Sequence, residues 1–407
     1  MKMIKVKPLI IILIFLLLLF ENTILSNSFI VYVDEIYALL FIPLLVMNLK
    51  NIEFRKTDLL ALLFFVLFIS AGILGNLIYK YQNSFSIIID IITNIKFILG
   101  ILSTIFLIKD KNELESIGNT LSIFLKIFIA VNVFLGLLTY LNIYNDGFMG
   151  YRYGIKALKL YFNHSTYYAA ANFVSSVLIY LFMKKKSDYI FIILGFILTI
   201  LSLRAKAFIS VVTAVSCFYI FRKRLLFGNI KYLFFLLGLV IITIIGYDAY
   251  DTYFNNDYNA RQALTETCFK IAKDYFPVGG GFATFGSSES VKNYSMLYSI
   301  YGIDKVYGLS PDFSNFISDT FWPMIIGQTG AIGIISYIII LFTIFKKFIL
   351  YAFKKNRSCF ICSLVCFLYL LISSLAESSF VNSISLLFAF IIGIAYLKAK
   401  YEVCDGV

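Results

Sequence analysis

The chain has 407 residues, of which 60% are hydrophobic and 14% are charged, whereas a soluble domain is about half apolar and about a quarter charged. With 43 Phe and 29 Tyr beside only 5 Pro and 6 Cys, a disordered chain, collagen and a disulfide-stapled scaffold are excluded. The net charge of 35 − 23 = +12 would suggest nucleic-acid binding in a soluble domain, so the placement of the cations decides what it means.

Apolar windows long enough to span a bilayer, roughly 17 to 25 residues, recur along the whole chain. They predict an all-α integral membrane protein with about twelve transmembrane helices. The windows lie near residues 8–26, 30–49, 58–79, 85–108, 119–140, 164–183, 188–203, 207–221, 230–248, 321–345, 358–376 and 380–397. The first window follows three lysines, as a signal peptide does, but no small-residue cleavage site follows it, so a retained anchor is predicted.

The basic residues follow the parity of these windows. If the N-terminus is cytoplasmic, alternate connections carry 22 Lys and Arg residues and the other connections carry 11, with Lys96 and Lys126 inside windows. Cytoplasmic connections are normally enriched in Lys and Arg. The pattern therefore predicts a multi-pass protein of the cytoplasmic membrane with both termini in the cytoplasm, and it argues against nucleic acid as a partner.

Two long connections fall on the predicted outer side, a smaller loop at 141–163 and a larger loop at 249–320. In the larger loop, apolar residues recur at helical spacing between Asn259 and Tyr275, and Asn259 is a suitable N-cap. This pattern predicts an amphipathic helix near 259–275 that lies on the membrane surface. Because loops carry much of a protein's chemistry, we expect the active site on the extracytoplasmic side of a single domain that comprises the whole chain.

Four cations of the predicted outer side occupy suggestive positions. Arg204 and Lys206 lie in a connection too short to leave the membrane interface, Arg261 begins the amphipathic helix, and Arg152 precedes the sixth window. Charges at that depth suggest a functional site, although interfacial snorkelling is an alternative. One guanidinium group can bond to two phosphate oxygens at once, so these cations predict a pocket for a lipid-linked diphosphate.

The larger loop holds fifteen Phe or Tyr residues, among them Tyr294 and Tyr298. Aromatic rings suit the C–H faces of sugars, whose hydroxyls bond to neighbouring polar groups. Some of these rings are equally typical of an aromatic belt at the membrane interface. The remainder predicts a groove of carbohydrate size.

The order of several short motifs is similar to that of a known family. The motifs are Arg152-Tyr153-Gly154 before Phe162-Asn163-His164-Ser165, the run Ile200–Phe208, Arg261 before Pro277–Phe282, Ser318–Pro323, and Gly330–Gly333. In this order they resemble the O-antigen polymerase and ligase superfamily, and within it the Wzy-type capsular polysaccharide polymerases of Gram-positive bacteria. The resemblance covers roughly residues 150–335.

The resemblance implies a GT-C-like membrane glycosyltransferase that polymerises oligosaccharide repeat units into capsular or surface polysaccharide. The donor would be a glycan on undecaprenyl diphosphate, and the acceptor would be a sugar hydroxyl of another lipid-linked unit. No cofactor, nucleotide sugar or metal is implied. Membrane lipid, a chain-length regulator and a flippase protein are the further partners that it implies.

The resemblance also implies roles for individual residues. Arg204 and Arg261 would hold the diphosphate, supported by Arg152 and Lys206, and Trp322 would join Tyr294 and Tyr298 in contacting glycan. Ligases of the superfamily carry a histidine late in the large loop, where this chain has Ser310-Pro311-Asp312-Phe313-Ser314-Asn315. That departure favours a polymerase and leaves the base open among Asp319, Asp312 and His164, although a lone histidine at a helix start is also typical of packing.

Two other function classes remain open at this stage. A ligase-like enzyme would use the same donor but transfer the glycan to another acceptor. A flippase or transporter of lipid-linked oligosaccharide would need many intramembrane charges. Inside the predicted helices the chain has chiefly Asp90, Lys96 and Lys126.

Overall fold

The computed structural model describes residues 6–24, 32–48, 56–221 and 259–402, and these are mostly helical. The helices are α1 (Val6–Phe20), α2 (Val33–Leu39), α3 (Phe41–Asn48), α4 (Lys56–Tyr79), α5 (Ser84–Leu107), α6 (Lys111–Tyr140), α7 (Ser165–Leu181), α8 (Asp188–Leu201), α9 (Ala205–Phe221), α10 (Ala260–Asp274), α11 (Ser288–Lys292), α12 (Met296–Ile300), α13 (Phe321–Ile344), α14 (Leu350–Lys355), α15 (Arg357–Ser374) and α16 (Ser385–Tyr401). The strands are β1 (Phe148–Arg152) and β2 (Ile155–Leu158). The helix predicted near 230–248 lies outside the described residues.

Five of the described helical stretches are long and apolar enough to cross a membrane. They are Thr57–Tyr79, Ser84–Leu107, Lys111–Tyr140, Phe321–Lys355 and Arg357–Ser374. Most helices begin and end within a few residues of the predicted windows, as α5 does against 85–108. The prediction of an apolar helical protein is confirmed at this level, and the helices indicate a membrane protein.

Two of the predicted windows differ from the helices that form. The window at 30–49 contains two short helices, α2 and α3, which are separated at Leu40. Helix α6 begins eight residues before its window, because the side chain of Asp110 caps it by accepting a 2.7 Å hydrogen bond from the Glu113 N–H. A polar first turn of this kind cannot be found from hydropathy alone.

The smaller loop contains a two-stranded antiparallel hairpin, which the all-α prediction did not include. The turn residues Tyr153 and Gly154 have φ of 51° and 74°. Positive φ at both central positions is the geometry of the tight turns that match the twist of a hairpin. Because tyrosine rather than asparagine or aspartate comes first, the usual sequence signal for such a turn is missing.

Helices α7 and α16 form the centre of the bundle, since both are buried along almost their whole length. Phe173 of α7 packs against Tyr369 of α15 with ring centroids 4.6 Å apart, and Tyr369 stacks on Phe388 of α16. Small side chains let these helices approach closely, as is usual for helix packing in membranes. The other helices of the bundle therefore pack around α7 and α16.

The structure has a helix, α10, at the position predicted for the amphipathic helix of the larger loop. The Asn259 side chain caps it by accepting hydrogen bonds from the Arg261 and Gln262 N–H groups, each 3.1 Å long. Its apolar face, including Leu264 and Cys268, is fully buried against protein, in a second core with Phe285, Leu297 and Tyr298. The expectation that this face rests on the membrane surface was therefore wrong, because the rest of the loop covers it.

A glycine-rich segment, 277–287, leads from α10 into the bundle and is buried from residue 278 onward. Its backbone bonds to α13 where that helix is interrupted: the Gly280 N–H donates to the Gly327 carbonyl over 2.9 Å. Gly330, at the interruption, has φ 59°, and a Cβ there would lie 2.5 Å from the Gly279 nitrogen. Only glycine permits both the positive φ and this close approach.

Side chains of the surrounding helices satisfy the backbone of the glycine-rich segment. Asn76 of α4 donates to the Phe282 carbonyl over 2.9 Å and accepts from the Phe282 N–H over 2.8 Å. Asp90 of α5 accepts from the Ala283 N–H over 2.7 Å. Since irregular backbone inside an apolar bundle must have its polar groups paired, these contacts hold the segment in place.

Candidate functional site

Arg204 lies in the three-residue connection between α8 and α9. Leu203, just before it, has φ 51°, which is unusual for a residue other than glycine and indicates local strain. The Arg204 guanidinium donates from Nε to Ser165 Oγ over 2.7 Å, and its Nη2 lies 2.7 Å from His164 Nε2. The strained turn therefore directs Arg204 towards the start of α7.

His164 caps α7, since its Nδ1 accepts a 3.2 Å hydrogen bond from the Thr166 N–H. Burial and nearby positive charges lower the pKa of His164 to about 4. These charges belong to Arg204, Lys206, Arg152 and Lys159. Because the cations disfavour a protonated imidazole, His164 is poorly placed to accept a proton, and capping accounts for its position.

Lys206, in the first turn of α9, forms an ion pair with Glu377. Both side chains are largely buried, with 10% of Lys206 and 16% of Glu377 exposed. Glu377 lies in the connection between α15 and α16. Because both side chains are largely buried, solvent screens the attraction between them only weakly. The pair is therefore part of the site.

Arg261, in the first turn of α10, faces Asp319, which ends a short 3₁₀ turn before α13. The Arg261 Nη2 and Asp319 Oδ2 atoms are 3.5 Å apart, longer than the roughly 2.7–2.9 Å typical of a charge-assisted hydrogen bond. Burial raises the pKa of the Asp319 carboxyl, and the Arg261 charge opposes that shift. Asp319 is thus a half-exposed carboxylate loosely held by its partner.

These residues converge at one end of the helical bundle. Lys206 interacts electrostatically with Arg204 and Arg261, and Asp319 interacts with Lys206 and Glu377. We call this group, Arg204, Lys206, Arg261, Asp319 and Glu377, the charged cluster. Of the three predicted cations of the cluster, Arg204 and Lys206 come from the start of α9 and Arg261 comes from α10, and the fold brings these two segments together.

Arg152 extends the cluster along the hairpin of the smaller loop. It ends β1, and its charge acts on His164 together with that of Lys159. Neighbouring Lys156 instead lies over the Phe148 ring, 5.1 Å from its centroid. Of the cations in the smaller loop, Arg152 and Lys159 are therefore the ones that contribute charge to the site.

Two further candidates, Trp322 and Asp312, lie near the start of α13 in sequence. Of these, Trp322 adjoins the charged cluster. Trp322 donates from its indole N–H to Ser374 Oγ over 3.0 Å, which fixes the start of α13 beside the end of α15. Asp312 is exposed in a separate turn closed by a bridge between Ser310 and Phe313. Within the described residues, Asp319 rather than Asp312 forms an ion pair with a cation.

The two tyrosines predicted to contact glycan serve the second core. Tyr298 is fully buried, and its hydroxyl accepts from the Gly286 N–H and bonds to Ser290 Oγ, so no sugar reaches its ring in this arrangement. Tyr294 packs against Tyr298 and donates to the Leu309 carbonyl over 2.6 Å. More exposed rings in the loop are Tyr307, Phe313 and Phe316, which pack against one another.

Sequence reasoning missed Glu377 and Ser165. Glu377 lies in the three-residue gap between the last two predicted helices. A carboxylate so close to the predicted membrane interface is a signal of a functional site. Ser165 stood in a quoted motif, but nothing in the sequence paired it with Arg204. Both become visible only when the helix ends are brought together.

A cavity of about 400 Å³ lies at the opposite end of the bundle. It is lined by the end of α7 and the start of α15, including Tyr180, Phe221, Arg357 and Lys398. Since α7 runs from the charged cluster to this cavity, the two features are separate. The cavity therefore adds nothing to the chemistry of the charged cluster.

Comparison of the chain with protein-family models finds no matching family, and no curated protein sequence matches it.

Proposed function

We propose that the protein polymerises undecaprenyl-diphosphate-linked oligosaccharide units into a surface polysaccharide at the outer face of the cytoplasmic membrane. The observation that supports this most is the charged cluster, in which Arg204 and Lys206 from the start of α9 come together with Arg261 from α10. A polyprenyl diphosphate offers phosphate oxygens for such cations at the level of the lipid headgroups. The cations then stabilise the charge that develops on the departing diphosphate.

The charge balance of the site suits this donor. With Arg152 and Lys159, five cations face two carboxylates, Asp319 and Glu377, which leaves a surplus of three positive charges, 5 − 2 = +3. A diphosphate that joins a lipid to a sugar is doubly anionic and would neutralise most of this surplus. A neutral ligand would leave these charges uncompensated in a partly buried site.

In the proposed reaction, Asp319 accepts the proton of the acceptor hydroxyl. The acceptor oxygen then bonds to the anomeric carbon of the donor sugar, and the bond from that carbon to the diphosphate oxygen breaks. Its electron pair leaves with the diphosphate, whose charge Arg204 and Arg261 stabilise. Asp319 suits the base because burial raises its pKa above that of an ordinary carboxyl, which strengthens it as a proton acceptor.

The topology belongs to the same proposal. About twelve helices would cross the membrane, with both termini in the cytoplasm and the larger loop outside. The charged cluster would then lie on the outer side, because α7, α9 and α13 all begin at it. Trp322 and the exposed rings of the larger loop would contact the glycan, and a flippase and a chain-length regulator would be partners.

Purified protein given a synthetic lipid-linked repeat unit is expected to produce a ladder of products that differ by one unit. The ladder should form without added metal or nucleotide sugar and should be resolved by electrophoresis or mass spectrometry. A single transfer to an added lipid or protein acceptor, without a ladder, would indicate the ligase-like alternative. Movement of the unit across vesicles without new glycosidic bonds would indicate a flippase.

The proposed base predicts a specific pH dependence. Because the pKa of Asp319 is raised, the ionised form that accepts a proton should be lost at a higher pH than for an ordinary aspartate. Polymerisation should therefore decline as the pH falls through this raised pKa. Asp319→Asn is expected to lower the rate about 100-fold or more and to remove this acidic limb. Asp312→Asn, on the exposed turn, is the matched control and should leave both rate and profile unchanged.

A further inference from the structure

Glu377 holds a position that the proposed reaction does not yet use. It is the partner of Lys206, and it also interacts with Asp319. With 16% of its side chain exposed, it is not an ordinary surface carboxylate. The cations near Glu377 are the proposed ligands of an anion. A buried carboxylate beside them competes with that anion for their N–H groups.

The backbone around Glu377 is firmly held. The Glu377 N–H donates to the Ser373 carbonyl over 2.9 Å, and its carbonyl accepts from the Ser379 N–H over 2.8 Å. Ser379 Oγ in turn donates to the Leu370 carbonyl over 2.8 Å. The next residue, Ser378, donates its hydroxyl to the Ser318 carbonyl, beside Asp319. The connection therefore presents Glu377 to Lys206 at a fixed distance from the turn that carries Asp319.

We propose that Glu377 is the exchangeable counter-ion of the diphosphate site, which neutralises Lys206 while the site is empty and recaptures it to release the product diphosphate. This inference rests on the proposed function and deepens it by assigning a positioning residue. The donor diphosphate draws Lys206 away from Glu377. After transfer, the leaving lipid diphosphate carries more negative charge than the donor, and Glu377 competes with it for Lys206.

The counter-ion role predicts a change in anion affinity whose direction is opposite to that expected if Glu377 only supported Lys206 structurally. Glu377→Gln keeps a side chain of the same shape that still accepts a hydrogen bond from Lys206, but it removes the competing charge. The site then becomes more positive by one charge. An anion should bind more tightly to this variant, whereas loss of a structural support would weaken binding.

The test uses the purified full-length protein with inorganic pyrophosphate as the binding probe and the synthetic lipid-linked unit as the substrate. Glu377→Gln is expected to bind pyrophosphate about tenfold more tightly than the natural protein, as measured by calorimetry. Its KM for the lipid-linked unit should fall, and its kcat should fall as well because product leaves slowly. Glu377→Asp keeps the competing charge and should bind pyrophosphate more weakly than Glu377→Gln does, while Lys206→Ala should bind it more weakly than the natural protein does.

The outcomes separate this inference from the proposed function. If Glu377→Gln binds pyrophosphate as weakly as Lys206→Ala does, or with unchanged affinity, the counter-ion role is overturned while the ladder of products still supports a polymerase. If the natural protein neither binds pyrophosphate nor forms a ladder, the proposed function itself fails. Tighter pyrophosphate binding by Glu377→Gln than by Glu377→Asp, with a fall in both KM and kcat for Glu377→Gln, supports the inference.

Discussion

Replacing Arg261 with alanine is expected to lower the rate of polymerisation about 100- to 1,000-fold, the range usual for loss of one group that stabilises developing charge. Arg261 begins α10 and faces Asp319 within the charged cluster. Its removal would take a cation from the departing diphosphate and leave the Asp319 carboxylate without its partner. The measurement is the rate of ladder formation from the synthetic lipid-linked unit.

Arg204→Ala should have an effect of similar size, and Arg204→Lys should restore little of it. The guanidinium of Arg204 reaches Ser165 Oγ through Nε and His164 through Nη2 at the same time. A lysine has one terminal nitrogen and cannot reproduce this forked geometry. Failure to rescue by lysine would show that orientation matters as well as charge.

Lys292→Ala is the matched control for both arginines. Lys292, like Arg261, lies in the larger loop and pairs with a carboxylate, but its side chain is 65% exposed and its partner, Glu289, is not a member of the charged cluster. Because Glu289 itself is buried, the unfolding midpoint of Lys292→Ala is measured beside its activity. Full activity of Lys292→Ala beside inactive arginine variants supports the diphosphate site. Full activity of the Arg204 and Arg261 variants would remove the physical basis of the proposed function.

The helices could be predicted from sequence because the bilayer imposes a length and an apolar character on each. That signal located α5, α9 and α13 to within a few residues. It did not reveal the separation between α2 and α3, although Pro43 was an available signal, because proline lacks the N–H that would bond to the Leu39 carbonyl in a continuous helix. The hairpin was missed for a different reason, since its turn uses Tyr153 where an asparagine or aspartate would have been recognised.

The cations of the charged cluster could be predicted one at a time, because a charge at the membrane interface is conspicuous. Their partners could not. Glu377 lies 171 residues after Lys206, 377 − 206 = 171, and nothing in the local sequence links them. Tyr298 illustrates the reverse case. Its aromatic side chain and loop position suit a sugar contact, but tertiary packing buries it. Local pattern identifies unusual residues, and long-range packing decides what they touch.

The sequence motif Pro277–Phe282 lies in the glycine-rich segment, but the side chains that hold this segment could not be predicted from the sequence. Asn76 pairs with both the N–H and the carbonyl of Phe282 inside the bundle. Asn76→Ala would leave both of these backbone groups buried without a partner. At about 1–3 kcal/mol for each group, the expected loss of stability is roughly 2–6 kcal/mol. Thermal unfolding of the detergent-solubilised protein should show a clearly lower midpoint.

The control for this prediction is Asn112→Ala, which changes the same residue type at an exposed position in the first turn of α6 and should leave the unfolding midpoint almost unchanged. The damage from Asn76→Ala should also reach the charged cluster. The glycine-rich segment follows α10 directly, so its release frees the helix that carries Arg261. Amide hydrogen exchange at Phe282 should therefore accelerate, and polymerisation should fall. An Asn76→Ala protein with an unchanged midpoint and a protected Phe282 amide would show that the segment is held by packing alone.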